Sequence, residues 1–539
     1  MKTKIDHSTF HAVEIRGFND DGKRYIKVRA LPKRGAPITS PAIPWADFRG
    51  KGARAMRVLA DAHIVVFGEA EKVLLKSVTG LDKFRDRRIA ERPGWCGDSF
   101  VLADGSCISV GGVQKPLCVF PKHPHRVLSS GTLKDWVTEV AAPYTGHSLA
   151  EFTLMVAFAA PLRRFVQVPF NFGLELSDGP STGKTTLLKA CASAVGPVED
   201  ARGGAMMSMN ATGNAIDSMM PQYSDQPIFL DEGNLMTLAP GGASGQRVSE
   251  LVFRMSAGET RRRYGRNTEG MADFIWITTT NQPWRALAHN FSADIAKAAA
   301  DRMITLEGSG KGQTGYLRKK LLGNQSLGTF CSSIAISAKH QHGTAMRAYV
   351  QYICNRLEEE GEEVLSGELQ RNANDFEKRA RNHHVDYDER VVRVISLIYT
   401  AGVLAVEAGV LPSQFRPMHA AMMALQRIHR SREQIVTPVE LLLNLSRHPA
   451  AIQLRPNDGT YYQDAVMAPC LISRTGGRRE LLLTGGQMAR LPMPKLKLLR
   501  DPQVAKAMVC EEGRLQAYRR VADLRRERVY CFQLEKLES

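Results

Sequence analysis

The sequence predicts an α/β fold: a P-loop core over residues 131–308, an N-terminal α+β domain over 1–130, a helical lid over 309–435, and a small basic C-terminal domain over 436–539, winged-helix-like in outline. Three observations carry this expectation. The apolar strand Phe172–Leu176 runs directly into a glycine-rich loop and then into a helical pattern from Lys184 to Val195. Two further apolar runs, Ile228–Leu230 and Phe274–Thr278, are bounded by polar residues and read as buried parallel strands of the same sheet. Beyond Gly308 the pattern turns helical, as in Tyr349–Leu357 and Val391–Val406.

In the N-terminal domain, Val13, Ile15, Tyr25, Ile26 and Val28 flank Asn19-Asp20-Asp21-Gly22, which predicts a hairpin over residues 11–31. Leu102–Pro124 is rich in Gly, Pro and Cys without a helical period and reads as loops and short strands. Thr132–Leu162 reads as helical, and the acidic run from Glu358 to Glu363 as a solvated helix end. Residues 471–539 hold 15 Lys/Arg against 8 Asp/Glu and end in the strand-like Arg528–Phe532, which predicts a helix-plus-hairpin unit.

With 539 residues and 43% hydrophobic content the chain can bury a large core. Its 72 Lys/Arg against 55 Asp/Glu give a net charge of +17, which favours polyanionic partners such as nucleic acid; a generally basic protein is the bland alternative. The 9 cysteines include no C-x-x-C pair, so a zinc ribbon or disulfide framework is not indicated and a reducing compartment fits. The first residues lack the apolar core of a signal peptide, and stretches such as Ile395–Val406 are too short to span a bilayer. The expectation is a cytoplasmic protein with no membrane association.

A phosphate-binding loop needs glycines so that backbone N–H groups can turn inward, a lysine for the β and γ phosphates, and a hydroxyl for magnesium. Gly179, Pro180, Ser181, Thr182, Gly183, Lys184, Thr185 and Thr186 supply that loop and its helix start, and ATP with Mg2+ is the expected ligand. The usual pattern has a glycine five residues before Gly183, where this chain has Asp178. An aspartate beside a triphosphate is repulsive unless its side chain turns away to cap the loop.

Gln226-Pro227-Ile228-Phe229-Leu230-Asp231-Glu232 is an apolar strand ending in two carboxylates behind the P-loop. Asp231 with Thr185 would hold magnesium and Glu232 would polarise the attacking water. The third strand ends Thr278-Thr279-Thr280-Asn281, placing an amide beside the γ phosphate, between the P-loop strand and the acidic strand. Its alternative is that Asn281 only begins a turn. Arg302 closes a helical stretch and would stabilise the transferring phosphate on a neighbouring subunit, or pair locally with Asp301 or Asp294. Arg261, Arg262, Arg263, Tyr264 and Arg266 combine phosphate-gripping guanidinium groups with one ring that can stack on a base, and compete with a reading as a solvated turn. His383-His384 with Asp386 and Asp388 lacks a metal-ligand spacing and reads as a polar loop.

The order Gly94-Trp95 through Phe100-Val101-Leu102, the P-loop, Asp231-Glu232, the arginine-rich segment, Arg302, Gln341-His342-Gly343 and Ala401–Ala405 resembles the "domain of unknown function 927" family over residues 10–535. That family comprises P-loop ATPases of prophages, plasmids and genomic islands, related to superfamily 3 and AAA+ helicases. The resemblance implies an AAA+/superfamily 3 helicase-like P-loop ATPase core, with Lys184, Thr185, Asp231, Glu232 and Arg302 in its motif positions and Arg390 as a further lid arginine. The expected function is that of an ATP-dependent DNA helicase or translocase of a mobile element, acting on single-stranded or forked DNA. It would serve replication as a homo-oligomeric ring, with six subunits the candidate number. A nucleotide switch that loads or remodels a replication or defence partner is the alternative, as is a DNA-binding initiator with weak ATPase activity.

Overall fold

The computed structural model describes residues 2–3, 10–168, 170–199, 203–208, 216, 219–231, 244–258, 272–284, 301–310, 312–383, 387–433, 438–447, 451–453, 470–475, 478–489, 491, 495–511, 514–522 and 525–538. Strands β1 (Phe10–Asp20) and β2 (Lys23–Pro32) form the hairpin that the turn sequence predicts, with Asp20 opposite Lys23. Asp21 and Gly22 take the positive φ values, 48° and 81°, that a two-residue hairpin loop requires. Val13, Ile15, Ile26 and Val28 face inward against Phe48, Leu59 of α1 (Ala53–Asp61), and Leu74 and Val78 of α2 (Glu69–Thr79), forming a core of their own.

Strands β3 (Gly94–Cys96), β4 (Ser99–Val101) and β5 (Cys107–Ser109) make a small antiparallel sheet. The Trp95 amide donates to Asp225 Oδ2 at 2.9 Å, tying this sheet to a turn of the central domain. The predicted helix over 132–162 is broken. It divides into Leu133–Trp136, a π turn at Val137–Ala141, 3-10 turns at Ala142–Tyr144 and Ala160–Arg164, and α3 (Ser148–Val156). Pro143 and Pro161 each remove an N–H donor, and Gly146 sits at φ 82°, so the apolar pattern continues where the helical ladder cannot. All nine residues of α3 are buried, which explains an apolar run with no polar face.

The central sheet contains β6 (Phe172–Ser177), β7 (Met206–Ser208), β8 (Pro227–Asp231), β9 (Ile275–Thr280) and β10 (Met303–Glu307), ordered β7-β8-β9-β6-β10 and paired in parallel throughout. Helix α4 (Lys184–Ser193) follows β6. Phe172, Leu174, Leu176, Ile275, Ile277, Ile304 and Leu306 turn one face into a large helical core. Ile228, Leu230, Trp276 and Met303 turn the other towards Trp284 and towards Leu251, Val252 and Met255 of α5 (Ser244–Ala257). Burial on both faces is why these strands read as continuous apolar runs.

After the sheet come α6 (Leu327–His340), α7 (Thr344–Glu360), α8 (Glu362–His383), α9 (Glu389–Glu407) and α10 (Pro417–Glu433), which supply much of the large core. The acidic run is a junction between two helices. Gly361, at φ 82°, separates α7 from α8, Glu360 pairs with Arg356, and Glu362 pairs with Arg164. Helix α11 (Pro438–Ser446) then leads to β11 (Leu471–Thr475), β12 (Arg478–Leu483), β13 (Ala517–Ala522) and β14 (Arg525–Gln533). These form a sheet in the order β11-β12-β14-β13, extended by Ile452–Gln453 beside β11, so this segment has more sheet than a helix plus hairpin. Among the described residues no helix is long and apolar enough to cross a membrane.

Candidate nucleotide site

Parallel pairing aligns Ser177 with Thr280, and Leu230 with Thr278, so the segments after β6, β8 and β9 leave the sheet at one edge. Crevices at the carboxyl ends of parallel strands are where open α/β sheets bind ligands. The loop from Asp178 to Gly183 turns sharply there: Ser181 sits at φ 60° and Gly183 at φ 84°. The positive φ calls for glycine at 183, and a side chain there would also lie 3.1 Å from Cys331 Sγ of α6, a tight approach. The loop delivers the chain to the N-terminus of α4, whose unpaired N–H groups and dipole favour an anion.

Lys184 is buried, and its Nζ donates to the carbonyl oxygens of Asp178 at 2.8 Å and Gly179 at 2.6 Å and to Thr182 Oγ1 at 3.3 Å. Burial pushes its pKa down, against the opposing pull of Asp178 and Asp231. Thr185 Oγ1 donates to Asp231 Oδ1 at 3.2 Å, joining the helix start to the end of β8. Thr279 of β9 donates to the same carboxylate oxygen. A hydroxyl and a carboxylate converging at the strand ends are hard oxygen donors of the kind magnesium takes.

Asp178 caps the start of the loop. Its Oδ1 accepts from the Gly179 amide at 2.7 Å and its Oδ2 from Ser309 Oγ at 2.7 Å, in the segment after β10. Arg427 of α10 in turn donates to the Ser309 carbonyl oxygen at 3.0 Å, linking the helices to this edge. Asn281 lies exposed at the turn after β9, with β9 between β6 and β8 as the sequence reading requires.

Arg302 is at the other end. It precedes β10, and its carbonyl oxygen accepts from the Gly173 amide, so about five strand residues, roughly 17 Å, separate it from the loop edge. Its guanidinium lies over the Phe253 ring at 5.1 Å, and Arg390 pairs with Asp301 at 3.9 Å. Burial lowers the Arg302 pKa, Arg390 lowers it further, and Asp301 opposes both. Glu232, Arg261, Arg262, Arg263, Tyr264 and Arg266 lie outside the described residues. Tyr387 bonds to His383 Nδ1 at 3.1 Å and Asp388 caps α9; His384 and Asp386 lie outside the described residues, among which no metal-binding cluster occurs.

Sequence reading missed Thr279, Ser309 and Arg427. The run Thr278-Thr279-Thr280 was the available signal for the first; nothing in sequence brings the other two to the loop.

The chain is similar over its full length to a solved structure described as "SCCmec type IV Cch - active helicase", with a TM-score of 0.59, 13% identity and 97% of that chain covered. At that identity the likeness is one of fold. Comparison with curated proteins gives no match. The family model for "Domain of unknown function (DUF927)" matches residues 17–270, a span holding β6, the glycine-rich loop, α4 and Asp231, in agreement with the family resemblance read from the sequence.

Proposed function

We propose that the chain is an ATP- and magnesium-dependent DNA helicase or translocase of a mobile element, acting as a homo-oligomeric ring. The observation that carries this reading is the convergence of Lys184, Thr185 and Asp231 where neighbouring parallel strands end. Phosphate oxygens would take over the bonds that Lys184 Nζ makes to the Asp178 and Gly179 carbonyls, and α4 N–H groups would hold the phosphates. Thr185 and Asp231 would hold magnesium, which neutralises charge developing on the transferred phosphoryl group. Thr279 orients Asp231, and Glu232 would polarise the water that displaces ADP.

The separation of Arg302 from its own loop edge supports a role on the nucleotide of a neighbouring subunit. The basic balance of the chain, +17, supports a polyanionic track. Arg261, Arg262, Arg263, Tyr264 and Arg266 are the proposed grip on DNA. The mobile-element and helicase assignments draw further support from the fold shared with the Cch structure.

Phosphate release by the purified chain, with and without single-stranded DNA, tests this. Lys184→Ala should abolish hydrolysis, DNA should stimulate the parental protein, and a forked duplex should be unwound. Hydrolysis by Lys184→Ala at the parental rate would overturn the assignment. Lys184-dependent hydrolysis that ignores DNA but responds to a partner protein would replace the motor with a switch.

A further inference from the structure

A glutamate stands in the middle of the strand that feeds the P-loop. Glu175 of β6 is fully buried, in a sheet whose other buried residues on that face are apolar, glycine, serine or threonine. Among the described residues, three donors meet its carboxylate. Thr280 Oγ1 donates to Oε1 at 2.7 Å, the Trp284 backbone N–H donates to the same Oε1 at 2.8 Å, and Thr305 Oγ1 donates to Oε2 at 2.6 Å.

The positions of these donors give the arrangement its meaning. Thr280 is the last residue of β9, and Trp284 lies four residues later, so one oxygen holds both ends of the turn Asn281-Gln282-Pro283. Asn281 and Gln282 are exposed, while Thr280 and Trp284 are buried at 4% and 1% exposure, so the turn is anchored on both sides. The other oxygen ties the same point to β10, the strand that Arg302 precedes. A carboxylate taken out of water is costly unless its oxygens are filled, and apolar side chains would pack this face at lower cost. Stability alone therefore gives a poor account of this residue.

We propose that Glu175 is a positioning residue that fixes the Asn281 turn against the P-loop strand, so that the Asn281 amide is held at the γ-phosphate side of the nucleotide. The proposal rests on the ATPase reading above. Glu175 touches neither nucleotide nor water in this scheme; it acts through the two ends of the turn. Small displacement of an aligned group costs up to about 10²-fold in turnover, while binding through the P-loop is left intact.

Steady-state hydrolysis and nucleotide affinity, measured on the full chain, test it. Glu175→Met removes both acceptors at similar length and should lower kcat about 10²-fold with nucleotide Kd within about threefold. Glu175→Gln should retain most of the turnover, because its amide oxygen can accept from Thr280 and Trp284 while its NH2 donates to Thr305. Should Glu175→Met fail to fold, Thr280→Val removes only one contact to the turn and should reproduce the loss, with Thr280→Ser restoring it. Combining either damaging change with Asn281→Ala should cost no more than the worse single change. Exchange of the Trp284 amide with solvent should quicken in Glu175→Met and not in Glu175→Gln.

Parental kcat in Thr280→Val, or losses that multiply with Asn281→Ala, would overturn the positioning role while leaving the ATPase standing. Absence of Lys184-dependent hydrolysis in the parental chain would overturn both.

Discussion

Replacing Asp225 by asparagine perturbs the joint between the small β3–β5 sheet and the turn before β8, the strand that carries Asp231. Burial raises the Asp225 carboxyl from 3.8 to about 6, with Asp273 adding to the rise and the Trp95 amide, Arg92 and Arg163 opposing it. That difference is worth up to about 3 kcal/mol at 1.36 kcal/mol per unit. Because the folded pKa lies above the unfolded one, the native state binds the proton more tightly, and stability falls as pH rises between about 4 and about 6. Below this window both states are protonated and the group costs nothing; above it the full penalty is present. Asparagine does not titrate and keeps an oxygen for the Trp95 amide. Urea unfolding followed by tryptophan fluorescence should therefore show the variant gaining on the parent by up to about 3 kcal/mol from about pH 4 to above pH 6. Parallel stability curves for the two proteins across that range would refute the assignment of the pH dependence to Asp225.

Gly173→Ala should destabilise the central sheet by about 3 kcal/mol, because its Cβ would lie 2.1 Å from the indole of buried Trp276; adding Trp276→Leu should recover much of the loss in a denaturant titration. Thr279→Val removes a hydroxyl from Asp231 and should raise the magnesium needed for half-maximal hydrolysis about tenfold, and an unchanged requirement would count against Thr279 as the residue that orients Asp231. Cys118 should be alkylated by iodoacetamide at neutral pH several-fold faster than Cys107. A hydrogen bond from Cys107 lowers the Cys118 thiol to about 7, with Lys122, Lys27 and Arg87 helping and burial opposing, whereas the same bond and burial push Cys107 up. Equal labelling by mass spectrometry would contradict this.

Some of this protein is written locally in the chain. The glycines, lysine and threonine of the loop, and the apolar runs that become β6, β8 and β9, follow from short-range chemistry: left-handed backbone needs glycine, and strands buried on both faces are apolar throughout. The hairpin β1–β2 is legible for the same reason, since Asp21-Gly22 fits its turn. Periodicity failed at 132–162, where prolines interrupt the helix while burial of every residue of α3 keeps the middle of the segment largely apolar. The acidic run is the solvated helix end its charge suggests, with Glu358, Glu359, Glu362 and Glu363 exposed, and only the pairing of Glu362 with distant Arg164 lay outside the reach of periodicity.

What only the tertiary structure decided is where side chains far apart in sequence come to rest. Asp178 departs from the P-loop pattern, and from sequence alone its carboxylate is a charge facing phosphate. The fold brings Ser309, 131 residues later, to its Oδ2, while the Gly179 amide fills its Oδ1, so the charge is bonded on both oxygens. Likewise a glutamate within an apolar strand has no reading until β9 and β10 lie beside it and bring Thr280, Trp284 and Thr305 to its oxygens. Sequence alone picks out the residues proposed to hold a phosphate, because they lie within one strand, one turn and one helix. The partners that orient those residues come from parallel strands joined by long crossovers, and only their register in the sheet brings them together.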